Sequence, residues 1–393
     1  RGYDLFHSTG CVACHAPRDQ QAEELPLGES QPLGRLEQKY SLPGLVDFLE
    51  DPLAVRPGGR MPRVPLTHQE AVDVASFLLQ KSADDAQPWV VDPEQAKQGQ
   101  TLFVNLGCHN CHADPAGRPL EPQAHPPFAQ LRQGQGCLGD SGQRAEDRSG
   151  QAPVLPITAA EKTLINRFLR DVTRPVLEDS DRIDITLRTF NCLACHQWRD
   201  LGGVTPLRNP HFGTSNLNLG DQGRIPPPLD SVGHKLKPEW MRDVLVNGRT
   251  IRPYMKTRMP QYGEANVGHL VNLFSGYERI GSESGANQNR QENIRFAEFD
   301  DQKKMREYGL QLAGNQGLNC VACHTYKSRL SDTMPAVDLT EMTDRLEKQW
   351  FYEYMLQPQK FSPNTVMPSF WPGGKAIRDD LEGAPEFQIE ALW

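Results

Sequence analysis

The sequence predicts a chain of short helices and turn-rich loops divided into four tandem segments, and three observations predict it. The pentapeptide Cys11-Val12-Ala13-Cys14-His15 returns verbatim at Cys320-Val321-Ala322-Cys323-His324. It returns in variant form at Cys108-His109-Asn110-Cys111-His112 and Cys192-Leu193-Ala194-Cys195-His196, with successive copies 84–128 residues apart. Helical apolar periodicity with N-terminal capping signals flanks these motifs. Hydrophobic residues make up 37% of the 393, beside 32 Pro and 33 Gly, which suits small cores wrapped by turns better than one large core.

Each element has a local reason. Gly2-x-x-Leu5-Phe6 leading to Gly10-Cys11 matches Gly99-x-x-Leu102-Phe103 leading to Gly107-Cys108, so an amphipathic helix enters both motifs. The third and fourth motifs share another approach, Asn191-Cys192 and Asn319-Cys320. Apolar or aromatic faces predict a second helix around Leu45–Leu49, Trp240–Leu245 and Trp350–Leu356. A Met-Pro pair follows each of these: Met61-Pro62, Met259-Pro260 and Met367-Pro368, lying 46, 63 and 43 residues beyond His15, His196 and His324.

Closing helices come next. The capping box Thr67-His68-Gln69-Glu70 opens one with Val72, Ala75, Leu78 and Leu79 at helical spacing, and Thr158-Ala159-Ala160-Glu161 opens another with Leu164, Ile165, Phe168 and Leu169. Val267, Leu270, Val271 and Phe274 mark a third. Linkers are read at 82–88, 174–181 and 281–291.

Two thiols three residues apart with an imidazole directly after the second form the pattern of covalent c-type haem attachment. Each thiol closes a thioether to one haem vinyl group, and the adjacent His faces the iron. A zinc ribbon needs CxxC pairs about 15–20 residues apart, and these are roughly a hundred apart. A thioredoxin-like motif needs one CxxC in a βαβ context, and a disulfide framework does not pair every cysteine at i, i+3. The expectation is four covalent haem c groups, attached at Cys11 and Cys14, Cys108 and Cys111, Cys192 and Cys195, and Cys320 and Cys323. His15, His112, His196 and His324 are then the proximal ligands.

The order of N-terminal helix, CxxCH, helix, Met-Pro loop and closing helix resembles class I cytochrome c, as four tandem copies covering nearly the whole chain. The resemblance implies an all-α fold of four cytochrome c-like domains with long irregular loops, bounded at 1–87, 88–176, 177–288 and 289–393. It also implies Met61, Met259 and Met367 as distal ligands, each a soft neutral donor that stabilises ferrous iron and raises the reduction potential. Met334 and Met255 are read as packing residues. Arg56, Arg60, Arg63, Arg249, Arg252 and Arg258 crowd the Met-Pro loops and are candidates for haem propionates, with plain surface charge as the alternative. Trp198, Trp240, Trp350 and Trp371 are expected on haem edges.

The second segment departs from this pattern, having no Met between Met61 and Met241. Its distal side at 113–156 is polar and rich in Gly and Pro, with the unpaired Cys137 and with His125. Cys137 as a thiolate ligand, His125 as a second imidazole, or an open iron are the three alternatives. His109 is read as a surface residue.

A formal charge of −8 gives no basic stripe for nucleic acid, and no apolar run reaches membrane-spanning length. The functional expectation is a multihaem cytochrome relaying electrons between a redox-protein donor and acceptor. Two alternatives stand beside it: a peroxidase-like or sulfur-oxidising haem enzyme reacting at the second haem, and a structural or conductive assembly. The attachment chemistry implies export to the periplasm or beyond. The missing leader before Arg1 and a C-terminal helix at 386–393 that stops after two turns suggest a segment of a longer redox protein, with flanking domains or other subunits as further partners.

Overall fold

In the computed structural model the described residues are 1–28, 30–56, 59–80, 91–105, 108–110, 112, 157–170, 176–279, 301–331 and 333–393. They are predominantly helical, and the chain divides into two units, one comprising 1–86 with 177–393 and the other 87–176.

The larger unit opens with α1 (Gly2–Ser8), ended by Thr9, whose backbone N–H and hydroxyl both donate to the Leu5 carbonyl at 3.0 and 2.7 Å. Gly10 then takes φ 120°, a conformation that a side chain disfavours, and turns the chain into a 3₁₀ turn at Cys11–Ala13. Ser41 caps α2 (Leu42–Glu50) by accepting from Gly44 N–H, and Asp51 caps α3 (Pro52–Val55) by accepting from Ala54 N–H at 3.1 Å. The expected capping box forms: Thr67 and Glu70 exchange both bonds at the start of α4 (His68–Leu79). Ala71, Val74, Ala75, Leu78 and Leu79 face the core of α4, whereas Val72 is only half-buried. Ala75, Leu78 and Leu79 lie on the expected stripe, and Ala71 and Val74 rather than Val72 complete it.

Crossing of α1 and α4 depends on a missing side chain. A Cβ on Gly2 would collide with the Asp73 carbonyl, so only glycine lets the two backbones approach this closely. Phe6, Val12, Leu45, Val46 and Val74 fill the core beneath them.

The smaller unit contributes α5 (Pro93–Asn105), a 3₁₀ turn at Cys108–Asn110 and α6 (Ala159–Arg170). Thr158 and Glu161 exchange capping-box bonds at 2.7 and 3.3 Å, as expected. Leu164 and Phe168, expected on a core face, are more than half exposed.

The chain continues in the larger unit with α7 (Asp179–Thr189), which begins inside the expected linker because Asp179 and Asp181 favour a helix N-terminus. After the 3₁₀ turn at Cys192–Ala194, β1 (Gln197–Trp198) and β2 (Leu201–Gly202) pair antiparallel. Then come α8 (Val232–Lys235), α9 (Pro238–Val246), α10 (Glu264–Val267) and α11 (His269–Arg279). Ile183, Leu187, Trp198, Leu270 and Phe274 form their core.

The last part holds α12 (Gln302–Ala313), a 3₁₀ turn at Cys320–Ala322, α13 (Met342–Arg345), α14 (Lys348–Leu356), α15 (Pro358–Phe361) and α16 (Pro385–Leu392). Here α12 and α16 repeat the close crossing of α1 and α4, with Gly309 set against the Ala391 carbonyl. Leu312, Trp350, Trp371 and Ile389 are buried around it.

Candidate functional site

In all four motifs the His backbone N–H donates to the carbonyl of the first Cys at 2.9 Å: His15 to Cys11, His112 to Cys108, His196 to Cys192 and His324 to Cys320. Local sequence explains this common turn. A residue that tolerates positive φ precedes the first Cys, Gly10 at 120°, Asn191 at 53° and Asn319 at 58°, and Asn is among the few non-glycine residues at ease there. The two sequence subclasses are two solutions to one backbone requirement.

Three of these motifs face one cavity of about 1430 Å³ in the larger unit. That exceeds the roughly 300–1,000 Å³ of a pocket built for one small ligand. Cys11, Cys14, His15, Cys192, Cys195, His196, Cys320, Cys323 and His324 line it, and so do Met61, Met259 and Met367.

Each lining imidazole is oriented by a backbone carbonyl. Nδ1–H of His15 donates to Gln31 O at 2.9 Å, that of His196 to Pro227 O at 2.7 Å and that of His324 to Val337 O at 3.0 Å. This fixes the tautomer and leaves each Nε2 lone pair free. Burial pushes all three imidazoles below their ordinary range, which keeps them neutral. Burial also pushes the thiols up, Cys11, Cys192 and Cys320 to about 11 and Cys195 to about 12. Thiols so held are protonated at neutral pH and are not thiolate nucleophiles.

Paired sulfurs, a neutral oriented imidazole and a thioether, repeated three times around apolar walls, fit a c-type haem as a donor set. Met255 and Met334, expected as packing residues, also line the cavity. Of the four tryptophans expected on haem edges, Trp240 and Trp350 line it, while Trp198 and Trp371 are 2% and 1% exposed in the core.

The arginines separate into different roles. Arg258 donates to both carboxylate oxygens of Glu70 at 2.7 Å, Arg249 bridges Asp243 and Glu341, and Arg56 donates to the Tyr40 hydroxyl at 3.0 Å. Arg249, Arg252 and Arg258 all line the cavity. Sequence reasoning missed Arg208, which is 7% exposed and donates to the carbonyls of Val12 and His15, the latter at 3.2 Å, and to the Ser30 hydroxyl at 2.9 Å. It fastens the third segment to the first attachment turn. No local pattern around Leu207-Arg208-Asn209 announces that role.

Cys111, Cys137 and His125 lie outside the described residues. His112 is exposed, and His109 is half-buried rather than on the surface.

Residues 1–82 match the Cytochrome c family model. No curated protein and no solved structure matches the chain. Residues 1–82 are accordingly a cytochrome c-like electron-transfer domain.

The expectation of four covalently bound haem c groups is corrected by the structure. Among the described residues no group of three or more His, Cys, Asp or Glu side chains comes together to hold a metal ion. The donors give the reason: around the cavity each of the three lining motifs offers one imidazole, with Cys and Met sulfurs as the other donors, so among the described residues three His, Cys, Asp or Glu side chains do not converge on one point. His112 is exposed, and most of the second segment around it lies outside the described residues.

Among the described residues no helix is long and apolar enough to cross a membrane.

Proposed function

We propose that this chain is an electron carrier of the c-type cytochrome kind, with three attachment sites around the shared cavity of its larger unit. The single observation that carries this reading is the threefold gathering of a CxxCH motif, its carbonyl-oriented imidazole and a methionine at one cavity. Cys11 and Cys14, Cys192 and Cys195, and Cys320 and Cys323 are the attachment residues. His15 with Met61, His196 with Met259, and His324 with Met367 would hold the iron of each group.

A c-type haem held by such a pair supplies one-electron chemistry at its iron. The rest is done by the chain. As soft neutral donors, the methionine thioethers would favour the reduced state of the iron they hold and would keep small ligands from it. Apolar walls exclude water. Arg208 of the third segment holds the first attachment turn, Asn191 ahead of the third turn reaches the Cys14 sulfur, and Arg258 ties its Met-Pro loop to Glu70, so the first and third sites adjoin. The donor and acceptor are redox proteins, and the chemistry of thioether attachment assigns the chain to the periplasm or the extracellular space.

The test is to produce the chain with a c-type maturation system, then measure intact mass and the attachment peptides. Three haems at the three named Cys pairs are expected, with no CO uptake by the reduced protein at these sites. A chain matured in the same cells as a control cytochrome, yet carrying no haem, would sink the reading.

A further inference from the structure

A second internal match becomes visible once the third and fourth segments are superposed on one another in sequence. Lys235-Leu236-x-x-x-Trp240 and Arg345-Leu346-x-x-x-Trp350 lie 110 residues apart. In the fold these two stretches pair with each other. Leu236 and Leu346 form an antiparallel bridge, Lys237 N–H donates to Arg345 O at 3.0 Å, and Glu347 N–H donates to Lys235 O at 2.9 Å. The reciprocal bonds make the contact self-complementary, like an interface on a local two-fold axis. Leu236 packs against the cores of both segments.

Lys235 and Arg345 flank this bridge, and both line the cavity together with Arg252. The charges of Arg345 and Arg252 bear on Lys235, and that of Arg252 on Arg345. The Lys235 ammonium lies 4.6 Å from the Trp350 ring centre. Among the described residues none of the three cations has a carboxylate within ion-pair distance. Glu341 is the acid whose charge bears on Arg345, and its Oε1 is taken by Arg249 at 3.1 Å. Burial, then Arg345 and Arg252, push the Lys235 ammonium well below the lysine range, and burial with Arg252 brings Arg345 down to about 10. Cations gathered in an apolar cavity without a counter-charge are costly, and an anion relieves all three together.

We propose that Lys235, Arg252 and Arg345 form one carboxylate-binding cradle shared by the third and fourth segments, and that it takes the propionates of the groups attached at Cys192–Cys195 and Cys320–Cys323. The inference rests on the attachment sites proposed above. Guanidinium forks suit carboxylates through paired N–H donors, and the ammonium adds a point charge. The ligand comes with the prosthetic groups, and a free oxyanion is the other source with the same chemistry.

The test uses the full haem-loaded chain and its variants Lys235→Gln and Arg345→Gln, with Lys235→Arg and Arg345→Lys as charge-conserving partners. Haem content and attachment peptides are measured first, then the midpoint potentials by spectroelectrochemistry. Removing a cation near bound iron stabilises its oxidised form. Lower potentials at the third and fourth centres, an unmoved first centre, full haem content and recovery in the conservative variants are the expected result. Unchanged potentials in both Gln variants at full haem content overturn the cradle alone. A parent whose potentials shift on adding inorganic phosphate points to a free oxyanion and overturns the propionate assignment. Absence of haem at Cys192–Cys195 and Cys320–Cys323 in the parent overturns the underlying reading, and the cradle with it.

Discussion

The side-chain amide of Asn191 donates to Sγ of Cys14 across 3.4 Å, joining two residues 177 positions apart. Asn191 already has a local task, holding φ 53° ahead of Cys192. One residue therefore shapes its own attachment turn and touches the sulfur of another.

The two tasks separate by substitution. Asn191→Gly keeps the backbone conformation and removes the donor, and a donor to a thioether sulfur draws electron density from it. The potential of the first centre is expected to fall by on the order of tens of millivolts, the equivalent of about 1 kcal/mol for one hydrogen bond. Asn319→Gly is the control, since Asn319 has the same backbone role at φ 58°. Redox titration of both variants checks this, and equal shifts at the first centre would defeat the assignment.

Glu70 gives a pH prediction. The Arg258 guanidinium hydrogen-bonds its carboxylate and holds it down at about 2, against an ordinary value of 4.5. A carboxyl whose folded value is depressed contributes stability that is full above its unfolded value and is lost as pH falls through the folded one. The parent should therefore lose stability between about pH 4.5 and 2 through this pair, and Glu70→Gln should not show that component. Gln keeps the capping-box geometry, so the loss at neutral pH is that of a charge-assisted bond, roughly 1.5–3 kcal/mol. Denaturant unfolding of parent and variant across this range reads both effects.

Glycines at helix crossings provide a stability test. Gly2→Ala and Gly309→Ala each push a methyl into a facing carbonyl, Asp73 and Ala391 respectively. Each should cost about 1–3 kcal/mol, the usual range for overpacking. Gly99 occupies the matching place in the second segment, but among the described residues nothing lies within 4 Å of a Cβ there. Gly99→Ala should be neutral or stabilise α5 by roughly 0.5–1 kcal/mol. Thermal melts of the three variants discriminate; a melting drop in Gly99→Ala equal to the others would mean that its helix is crossed as well.

Met259→Ala tests the axial pairs. The third centre should drop in potential and take up CO after reduction, with the other centres unmoved. A titration curve matching the parent would remove Met259 from the ligand set. Met61→Ala and Met367→Ala make the same prediction for the first and fourth centres.

Short-range chemistry is legible along the chain. The CxxCH turns, the Gly or Asn ahead of them, the Thr67–Glu70 and Thr158–Glu161 boxes and the helices they start all depend on residues within one or two turns of each other. Their patterns survive in a linear reading because each hydrogen bond is made within its own stretch. Tertiary structure decided the rest. Arg208 against Val12, Arg258 against Glu70 and Leu236 against Leu346 join positions 110 to 196 residues apart, where the register of two folded surfaces selects the partner. A linear pattern carries no such register, so in sequence Arg258 is a candidate for a haem propionate or plain surface charge, and in the fold it lines the cavity and pairs with Glu70 across segments. The separate motifs become one site for the same reason: packing of the first, third and fourth segments, not spacing along the chain, turns their walls toward a common cavity.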